Sequence, residues 1–413
     1  MAFQALDAEQ EREVIAHHKA VLTNVFGRSK TWEFEKLLGN GTYGYTALIR
    51  NIDPLRIHRQ KRMVLKRSLL MGDVVRDEML ITEASFLERM RGNMHHLQII
   101  ASVDEVAWYK KHPDQDNRPP RWWKRIYAAF KNPPENAIRA ISNLDGPAVL
   151  LEYLENGDLL SLWMNMVDEG VEAPNRLLWR IYFCLIRACI GMAYPRNAPK
   201  GEPVKIETIN ENKPPGRFSH NDIAMRNIMI GDRTPKEAEH RVIPIFKLID
   251  YGLATYRNTS YEAVTYNLWC VAKTMVWLIC GPEATPEMGK QVLYRHYATV
   301  AHDLVWEDDF PNLDPDLRDI VTESMALERE VRPTLKQTFE RVRRGVAKPA
   351  AAYGHRQLEE SNYAIDAFLQ QYLHSPPRQE RGEEEEEGEE GEAEGEEYGE
   401  EEGEEYEEYD EEE

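Results

Sequence analysis

The chain has 413 residues, 42% of them apolar, so it is long enough to bury one large core or the cores of two or three compact units. Its formal net charge of −21 is concentrated at one end. Residues 380–413 contain 23 acidic residues and one arginine, a net of −22, which leaves +1 for residues 1–379. The bulk charge of this nearly neutral remainder does not indicate a strongly charged substrate.

The four cysteines, Cys184, Cys189, Cys270 and Cys280, lie in apolar segments without the spacing of metal ligands. We therefore expect buried, reduced thiols in a reducing compartment. No basic region followed by an apolar core opens the chain, and no run reaches the ~18 apolar residues of a membrane helix. These features predict a soluble, intracellular protein in the cytoplasm, with the nucleus left open and no membrane partner.

Residues 1–30 carry apolar positions at helical spacing, which predicts an accessory helix. A strand, a turn with Gly39, Gly41 and Gly44, a second strand and a third strand with Lys66 follow. Glycines let a backbone close over phosphates, and the lysine could pair with those phosphates. Because a strand follows the turn, it is not a dinucleotide-binding fingerprint, and it lacks the Gly-Lys-Ser/Thr of a Walker A loop.

The helix predicted over residues 74–90 offers three carboxylates to Lys66, those of Glu78, Glu83 and Glu88. We favour Glu83 because it shares one face of the helix with apolar residues four and seven positions later. For any single glutamate on this helix, the alternative is a solvated surface charge.

Residues 109–140 are rich in lysine and arginine, with Trp122, Trp123 and Tyr127 interleaved. This segment belongs to an insertion at about 105–146, and it could dock the acidic tail, another acidic partner or nucleic acid. We favour the alternative that its aromatic residues pack on the part of the fold formed by the strands predicted before it. We do not expect nucleic acid as a partner.

The most informative stretch contains His220-Asn221-Asp222 and Asn227, and Asp250 follows an apolar run about twenty residues later. A carboxylate, an amide five positions on and a second carboxylate are what a two-metal phosphate site needs. The stretch therefore predicts a phosphoryl-transfer centre.

Together with the glycine turn and Lys66, these motifs resemble the H-R-D-L-x-x-x-N and D-F-G motifs of eukaryotic protein kinases, and the resemblance runs from about Trp32 to Val346. It implies an α+β, two-lobed protein-kinase-like fold, with a small β-rich N-lobe that has one key helix, a larger helical C-lobe and a disordered acidic tail. The expected boundaries are 1–30 for the accessory helix, 31–154 for the N-lobe, 155–348 for the C-lobe, 349–375 for a helical extension and 376–413 for the tail.

The same resemblance implies an ATP- and Mg²⁺-dependent phosphotransferase acting on a hydroxyl, with a protein substrate expected. Asp222 would orient the acceptor hydroxyl, Asn227 and Asp250 would hold Mg²⁺, and Lys66 with Glu83 would position the ATP phosphates.

Residues 148–159 resemble the fifth strand and hinge of kinases. On that resemblance Leu151 would guard the back of the adenine pocket, the backbone at Glu152 and Leu154 would bind adenine, and Asp158 would reach the ribose.

Several positions depart from the kinase pattern. Asn221 replaces the arginine of the H-R-D motif, so switching through a phosphorylated activation loop is not expected. The segment 254–266 is short and lacks Ala-Pro-Glu, which leaves Arg332 without its usual partner, and Asn267 replaces an aspartate that anchors the catalytic loop. Arg226 resembles the arrangement of tyrosine-type loops and could supply charge to the γ-phosphate.

Two other functions stay open. Choline and aminoglycoside kinases share His-x-Asp and a downstream aspartate and also lack Ala-Pro-Glu, but the three-glycine turn, Gly252 and the segment 332–334 favour a protein kinase. A catalytically weak pseudokinase that binds nucleotide as a scaffold is the third reading. The Glu-rich tail cannot bury a core by itself, so we expect it to be disordered. It could bind the basic insertion or a basic partner, with Tyr398, Tyr406 and Tyr409 as candidate phosphorylation sites.

Overall fold

The computed structural model describes residues 7–41, 44–53, 61–70, 72–111, 135–234, 237–286 and 290–373. Within these ranges the chain is mixed α+β, with a small antiparallel sheet in the first part and mostly helices in the second. The mixed class expected from the sequence is confirmed.

The described helices are α1 (Ala8–Gly27), α2 (Val74–Met90), α3 (Val103–Lys111), α4 (Glu135–Ile141), α5 (Leu159–Asp168), α6 (Asn175–Ala193), α7 (Ser260–Cys280), α8 (Pro315–Ser324), α9 (Leu335–Val346) and α10 (Asn362–Leu373). The described strands are β1 (Trp32–Asn40), β2 (Gly44–Asn51), β3 (Arg62–Ser68), β4 (Ile99–Ala101), β5 (Ala148–Glu152), β6 (Phe218–Ser219), β7 (Ile228–Ile230), β8 (Phe246–Leu248), β9 (Thr255–Tyr256), β10 (Val292–Tyr294) and β11 (Tyr297–Thr299).

The main sheet has five antiparallel strands in the order β1-β2-β3-β5-β4. Lys66 lies on the central strand β3, opposite Thr46 on β2 and Val149 on β5. Because hydrogen-bonded neighbours hold β3 on both sides, the backbone that carries Lys66 is fixed.

Helix α1 packs on β1, as expected for an accessory helix in residues 1–30. Asp7 caps its first turn by accepting hydrogen bonds from the N–H groups of Glu9 and Gln10. Leu22 and Phe26 are buried in the same apolar cluster as Trp32 of β1. The helix therefore covers one face of the sheet.

Helix α2 has the bounds that the sequence predicted, residues 74–90. Asp73 caps it by accepting hydrogen bonds from the N–H groups of Val75 and Arg76, at 3.1 and 3.2 Å. Its buried face carries one carboxylate among apolar residues, that of Glu83. The packing of α2 against β3 therefore directs this carboxylate toward Lys66.

Helix α6 is buried along nearly its whole length and packs against α7, α9 and β8. It begins at Asn175. Pro174 offers no side-chain cap, and the buried carboxylate of Glu360 takes that role by accepting hydrogen bonds from the N–H groups of Asn175 and Arg176, at 2.7 and 2.9 Å. The C-terminal extension therefore completes the helical core.

The helical extension expected over residues 349–375 is interrupted. The chain forms 3₁₀ turns within Ala350–Arg356, and α10 begins at Asn362, two residues after the Glu360 that caps α6. The basic part of the insertion (112–134) and the acidic tail (374–413) lie outside the described residues, and their predicted roles stay predictions.

The expectation that no segment could span a membrane also needs correction. Helix α7, Ser260–Cys280, is long and apolar enough to cross a membrane, judged by length and composition alone, and its most apolar 18-residue window has a mean hydropathy of 1.3. Of that window, 56% is buried inside the protein, and α7 packs against α6 and α8. The core helix of a soluble protein passes the same test, so this helix is weak support for a membrane span.

The close contact between α9 and α6 gives a test of the helical core. A Cβ at Gly345 would lie 2.4–2.5 Å from ring atoms of Trp179, whose Nε1 donates to Asp314 Oδ2 at 2.8 Å. We expect Gly345→Ala to lower the free energy of unfolding by about 1–3 kcal/mol through overpacking. At Gly27 a Cβ would meet nothing within 4 Å, so Gly27→Ala should be neutral or slightly stabilising. Urea denaturation of both variants checks this, and equal stabilities would contradict it.

Candidate functional site

A cavity of about 480 Å³ lies where the glycine turn of the sheet faces α2 and the loops of the helical part. Its lining brings together eight of the residues predicted from the sequence: Gly39, Gly41, Gly44, Lys66, Glu83, Asp222, Arg226 and Asp250. These residues come from distant parts of the chain, so the fold assembles the predicted centre in one place.

The turn between β1 and β2 forms the edge of the cavity. Gly41 N–H donates to Gly44 O at 2.8 Å, which closes the turn, while Thr42 and Tyr43 lie outside the described residues. A Cβ at Gly44 would lie 2.4 Å from Arg67 O, so only glycine fits there without a backbone shift. At Gly39 and Gly41 a Cβ would meet no atom of the described residues within 4 Å. The space beside these two glycines is therefore open to a ligand.

Lys66 is held by two carboxylates. Its Nζ donates to Glu83 Oε1 at 2.8 Å, lies 2.7 Å from Glu83 Oε2 and donates to Asp250 Oδ1 at 3.2 Å. Of the three glutamates considered on α2, Glu83 is the one that reaches Lys66, whereas Glu78 is exposed and Glu88 pairs with Arg91. The predicted Lys66–Glu83 contact is confirmed.

The charges of this group depend on one another. Burial alone would lower the pKa of Lys66, but Glu83 and Asp250 outweigh it and hold that pKa above its usual value. Burial raises the pKa of Glu83, and the charge of Lys66 opposes this shift. Burial would also raise the pKa of Asp250, yet Lys66 and the Gly252 N–H lower it. Asp250 is therefore a carboxylate at neutral pH and Lys66 an ammonium.

Asp222 sits in the loop between β6 and β7 and is half-buried. Its Oδ1 accepts a hydrogen bond from Arg226 Nη2 at 2.7 Å, and its Oδ2 accepts one from Asn227 Nδ2 at 2.8 Å. A 3₁₀ turn over Met225–Asn227 makes these short contacts possible, because it brings residues four and five positions later back beside Asp222. The carboxylate is thereby fixed in orientation.

Asp250 follows β8, which pairs with β7, so the Asp222 loop and Asp250 lie at the same end of this strand pair. Its φ of +59° is in the left-handed region, where aspartate and asparagine are tolerated better than other side chains. Asp250 Oδ1 accepts a hydrogen bond from Lys66 Nζ and another, at 3.3 Å, from Gly252 N–H. Its Oδ2 and Asn227 Oδ1 have no hydrogen-bond partner within the described ranges, and both are hard oxygen donors suited to a divalent cation.

Asn221, also at a left-handed φ of +66°, organises the short segment after Asp250. Its Nδ2 donates to Leu253 O and Thr255 Oγ1, both at 2.8 Å. Its Oδ1 accepts from Ser219 Oγ and Arg257 Nη2, both at 2.7 Å. In the sequence, Asn221 is notable only because it replaces the arginine of the H-R-D motif. Its actual role is to hold this segment through one uncharged side chain.

Two neutral histidines form hydrogen bonds to the segments that carry Asp222 and Asp250. His220 Nδ1 accepts from Asp222 N–H at 3.2 Å, and its Nε2 donates to Ile249 O at 3.0 Å. Burial lowers the pKa of His220 to about 4 and that of His96 to about 4. His96 bonds to the hydroxyl of the buried Tyr251. Both rings are therefore uncharged near pH 7 and act as hydrogen-bond bridges.

The residues expected around an adenine are placed less directly. Leu151 is buried on β5, and Glu152 N–H donates to Gln98 O at 3.0 Å while its carboxylate accepts from Gln98 N–H and from Lys247. Leu154 N–H has no hydrogen-bond partner among the residues that the structure describes. Asp158 caps α5 by accepting from Ser161 N–H at 2.8 Å. These residues do not line the 480 Å³ cavity, so their predicted roles stay predictions.

Three further positions that bear on the site are Asn267, Arg332 and Arg76. Asn267 anchors the Asp222 loop, as its place in the sequence suggested, because its Oδ1 accepts from His220 N–H at 3.1 Å and its Nδ2 donates to Phe218 O at 2.9 Å. Arg332 Nε donates to Ala326 O at 2.6 Å. Arg76 lines the cavity and was missed, although its position two turns before Glu83 on the same face of α2 was a usable signal.

No protein-family model matches this chain, and no curated protein is significantly similar to it.

The two hydrogen bonds of Asn267 generate a test of how the Asp222 loop is held. In Asn267→Asp the carboxylate could still accept from His220 N–H but would face Phe218 O with no proton to donate. We expect a loss of about 1–3 kcal/mol in the free energy of unfolding, since a buried acceptor would lose its donor. Asn212→Asp, at an exposed position, is the control. Chemical denaturation measures both, and an Asn267→Asp variant as stable as Asn212→Asp would contradict this anchoring role.

Proposed function

We propose that this protein is an ATP- and Mg²⁺-dependent phosphotransferase of protein-kinase-like type that moves the γ-phosphate to a hydroxyl. One observation carries the proposal. Lys66, held between Glu83 and Asp250, lies in the same cavity as Asp222, which is bound to Asn227. An ammonium, an oriented carboxylate and two side chains that could hold a metal are the parts that phosphoryl transfer from a nucleotide requires, and all of them except Asn227 line this cavity.

The cavity suits a polyphosphate. Its edge is a turn whose Gly39 and Gly41 leave open space, and Lys66 points into it with its charge maintained by two carboxylates. Phosphate oxygens compete well for an ammonium, and a glycine backbone can approach them without Cβ obstruction. These features support ATP as the donor. The order of the five-stranded sheet, α2 and the helical part supports a two-lobed kinase-like fold.

The donor set fits Mg²⁺. Asn227 Nδ2 donates a hydrogen bond to Asp222, and Asp250 Oδ1 accepts one from Lys66. The second oxygen of Asp250, Oδ2, and the amide oxygen of Asn227 are therefore left to face a cation. Hard oxygen ligands of this kind, with waters and phosphate oxygens, are what Mg²⁺ prefers. When bound, the ion neutralises phosphate charge. The chain's own part is to hold Asn227 in a buried position beside Asp222.

Asp222 would orient the attacking hydroxyl. Its two oxygens are fixed by Arg226 and Asn227, so its direction is set before a substrate arrives. Arg226 is exposed at the cavity and can turn from Asp222 toward a phosphate, where its guanidinium would offset charge. The protein would contribute mainly position and electrostatics.

The acceptor is the least constrained part. The segment from Gly252 to Thr259 is short and is held against its own loop by Asn221 and by the β6–β9 pair. A short, anchored segment offers little surface for a peptide. This observation favours a small-molecule hydroxyl as the second candidate acceptor, beside a protein hydroxyl.

Nucleotide binding is tested by thermal shift with and without Mg²⁺. We expect Mg·ATP at a hundred times its Kd to stabilise the wild type by about 2.7 kcal/mol. Asp250→Asn should lose most of the Mg²⁺-dependent part, because one ligand charge is removed. Asp168→Asn, at an exposed position at the end of α5, should behave as the wild type. The proposal fails if millimolar Mg·ATP leaves the Tm of the wild type unchanged.

Group transfer is tested with labelled ATP and three acceptors: a generic protein, choline and an aminoglycoside. We expect Asp222→Asn to bind Mg·ATP like the wild type and to lose about 10²–10⁴-fold in transfer rate, since it removes the group that orients the hydroxyl. Label on protein or on a small molecule identifies the acceptor class. Binding without transfer to any of them would replace the enzyme by a nucleotide-binding scaffold.

The two kinds of glycine in the turn give a matched pair. Gly41→Ala should leave the free energy of unfolding within about 0.5 kcal/mol of the wild type, because no protein atom would be touched. It should weaken Mg·ATP by about 1–3 kcal/mol if phosphates occupy that space. Gly44→Ala should instead destabilise the fold itself, because of Arg67 O. Unchanged ATP affinity in Gly41→Ala would mean that the turn does not approach the ligand.

A further inference from the structure

A second group of side chains with ligand chemistry lies away from the cavity. His95, Cys184 and His240 come from the segment between α2 and β4, from α6 and from a 3₁₀ turn between β7 and β8. One ligand atom from each lies within 4.8 Å of the other two, and all three residues are buried. The spacing of the cysteines alone did not reveal this group, because its members are far apart in the sequence.

The orientation of His95 is fixed by a carboxylate. Glu207 Oε2 lies 2.6 Å from His95 Nδ1, and Glu207 Oε1 accepts from His95 N–H at 2.7 Å. A carboxylate accepts hydrogen bonds, so Nδ1 carries a proton and Nε2 is directed the other way. A carboxylate on the outer nitrogen of a histidine is the usual support of a metal-bound imidazole, since it fixes the tautomer and raises the basicity of the ring.

The inner nitrogens already face each other. His95 Nε2 and His240 Nε2 are 3.1 Å apart, and one proton between them makes the hydrogen bond. Two imidazole nitrogens that bind one tetrahedral Zn²⁺ at ~2.0–2.1 Å lie about 3.4 Å apart. A cation could therefore replace this proton with little movement of the two rings. His240 Nδ1 is buried without a hydrogen-bond partner in the described part of the chain, so no other contact fixes which nitrogen is protonated.

We propose that His95, Cys184 and His240 supply three protein ligands to a borderline-soft divalent cation of the Zn²⁺ type, which would stabilise the fold. Two imidazoles and a thiolate are the donor set that such a cation selects, and hard cations such as Mg²⁺ do not prefer it. Binding removes the thiol proton of Cys184 and displaces the proton between the histidines, and both leave to solvent. The thiolate and the Glu207 carboxylate then offset the two charges of the cation.

The surrounding charges are compatible with a cation. Arg187 pairs with Glu239, and Lys247 pairs with Glu152 at 2.6 Å, so these two nearby cations are already balanced. A third nearby cation, Arg180, lies one turn before Cys184 on α6 and feels the charge of the same Glu239.

The position of the centre gives it a structural role. Leu248 N–H donates to His95 O at 2.9 Å, and Leu97 N–H donates to Leu248 O at 3.1 Å, so the His95 segment is joined to β8 just before Asp250. A bound cation would therefore tie together three segments, one of which is joined to the strand that leads to Asp250. Because the three ligands are fully buried, we expect the metal to be acquired during folding and to be retained afterwards.

Metal content tests this directly. Full-length protein is expressed in medium supplemented with Zn²⁺ and purified with a thiol reductant. Its zinc content is then measured by inductively coupled plasma mass spectrometry. We expect about one Zn²⁺ per chain in the wild type and in Cys189→Ser, which removes another buried thiol of α6 outside the group. Cys184→Ser and His240→Gln should fall below about a tenth of that content. Less than a tenth of an equivalent in the folded wild type, or equal content in Cys184→Ser, overturns the proposal.

Cobalt substitution keeps the test independent of variants that fail to fold. Wild-type protein expressed with Co²⁺ should show the near-ultraviolet charge-transfer band of a cobalt–thiolate bond and the visible bands of tetrahedral cobalt. Bound cobalt without the thiolate band would exclude Cys184 as a ligand. Neither readout involves ATP, so the outcome is separate from that of the proposed phosphotransferase activity.

Discussion

The ammonium of Lys66 between the carboxylates of Glu83 and Asp250 is the interaction on which the arrangement of the cavity depends. It joins the central strand of the sheet to α2 and to the loop that follows β8. Lys66 and Glu83 are the buried pair of this group, with side chains 19% and 4% exposed, and loss of one partner costs about 3–5 kcal/mol in comparable buried pairs. The position of α2 relative to the helical part is therefore coupled to the charge state of the site.

The loops around this ion group are held mainly by uncharged contacts. Asn221 and Asn267 each bridge two segments, and His220 is neutral because burial lowers its pKa to about 4. Backbone groups of the Asp222 loop are thereby satisfied without further buried charge, which would carry a desolvation cost. Asn221 also holds the short segment after Asp250, through hydrogen bonds to Leu253 O and Thr255 Oγ1.

Much of this could be predicted from the sequence. Apolar spacing placed α1 within residues 1–30 and predicted the bounds of α2, and the face of α2 distinguished Glu83 from its neighbours. What could not be predicted depends on contacts between distant segments. Glu360 caps α6 from 185 residues away in the sequence, and Asn221 acquires its role only when the next loop packs on it. The histidines around Cys184 are equally remote in the chain, so no local spacing pointed to them.

The central claim is that the cavity beside Lys66 binds ATP together with Mg²⁺. Calorimetric titration of the wild type with ATP, in Mg²⁺ and then in EDTA, tests it most directly. We expect at least about tenfold tighter binding with Mg²⁺, a difference of about 1.4 kcal/mol, and loss of that difference in Asp250→Asn. Equal affinity in Mg²⁺ and EDTA, or no measurable binding of ATP in either, would contradict it.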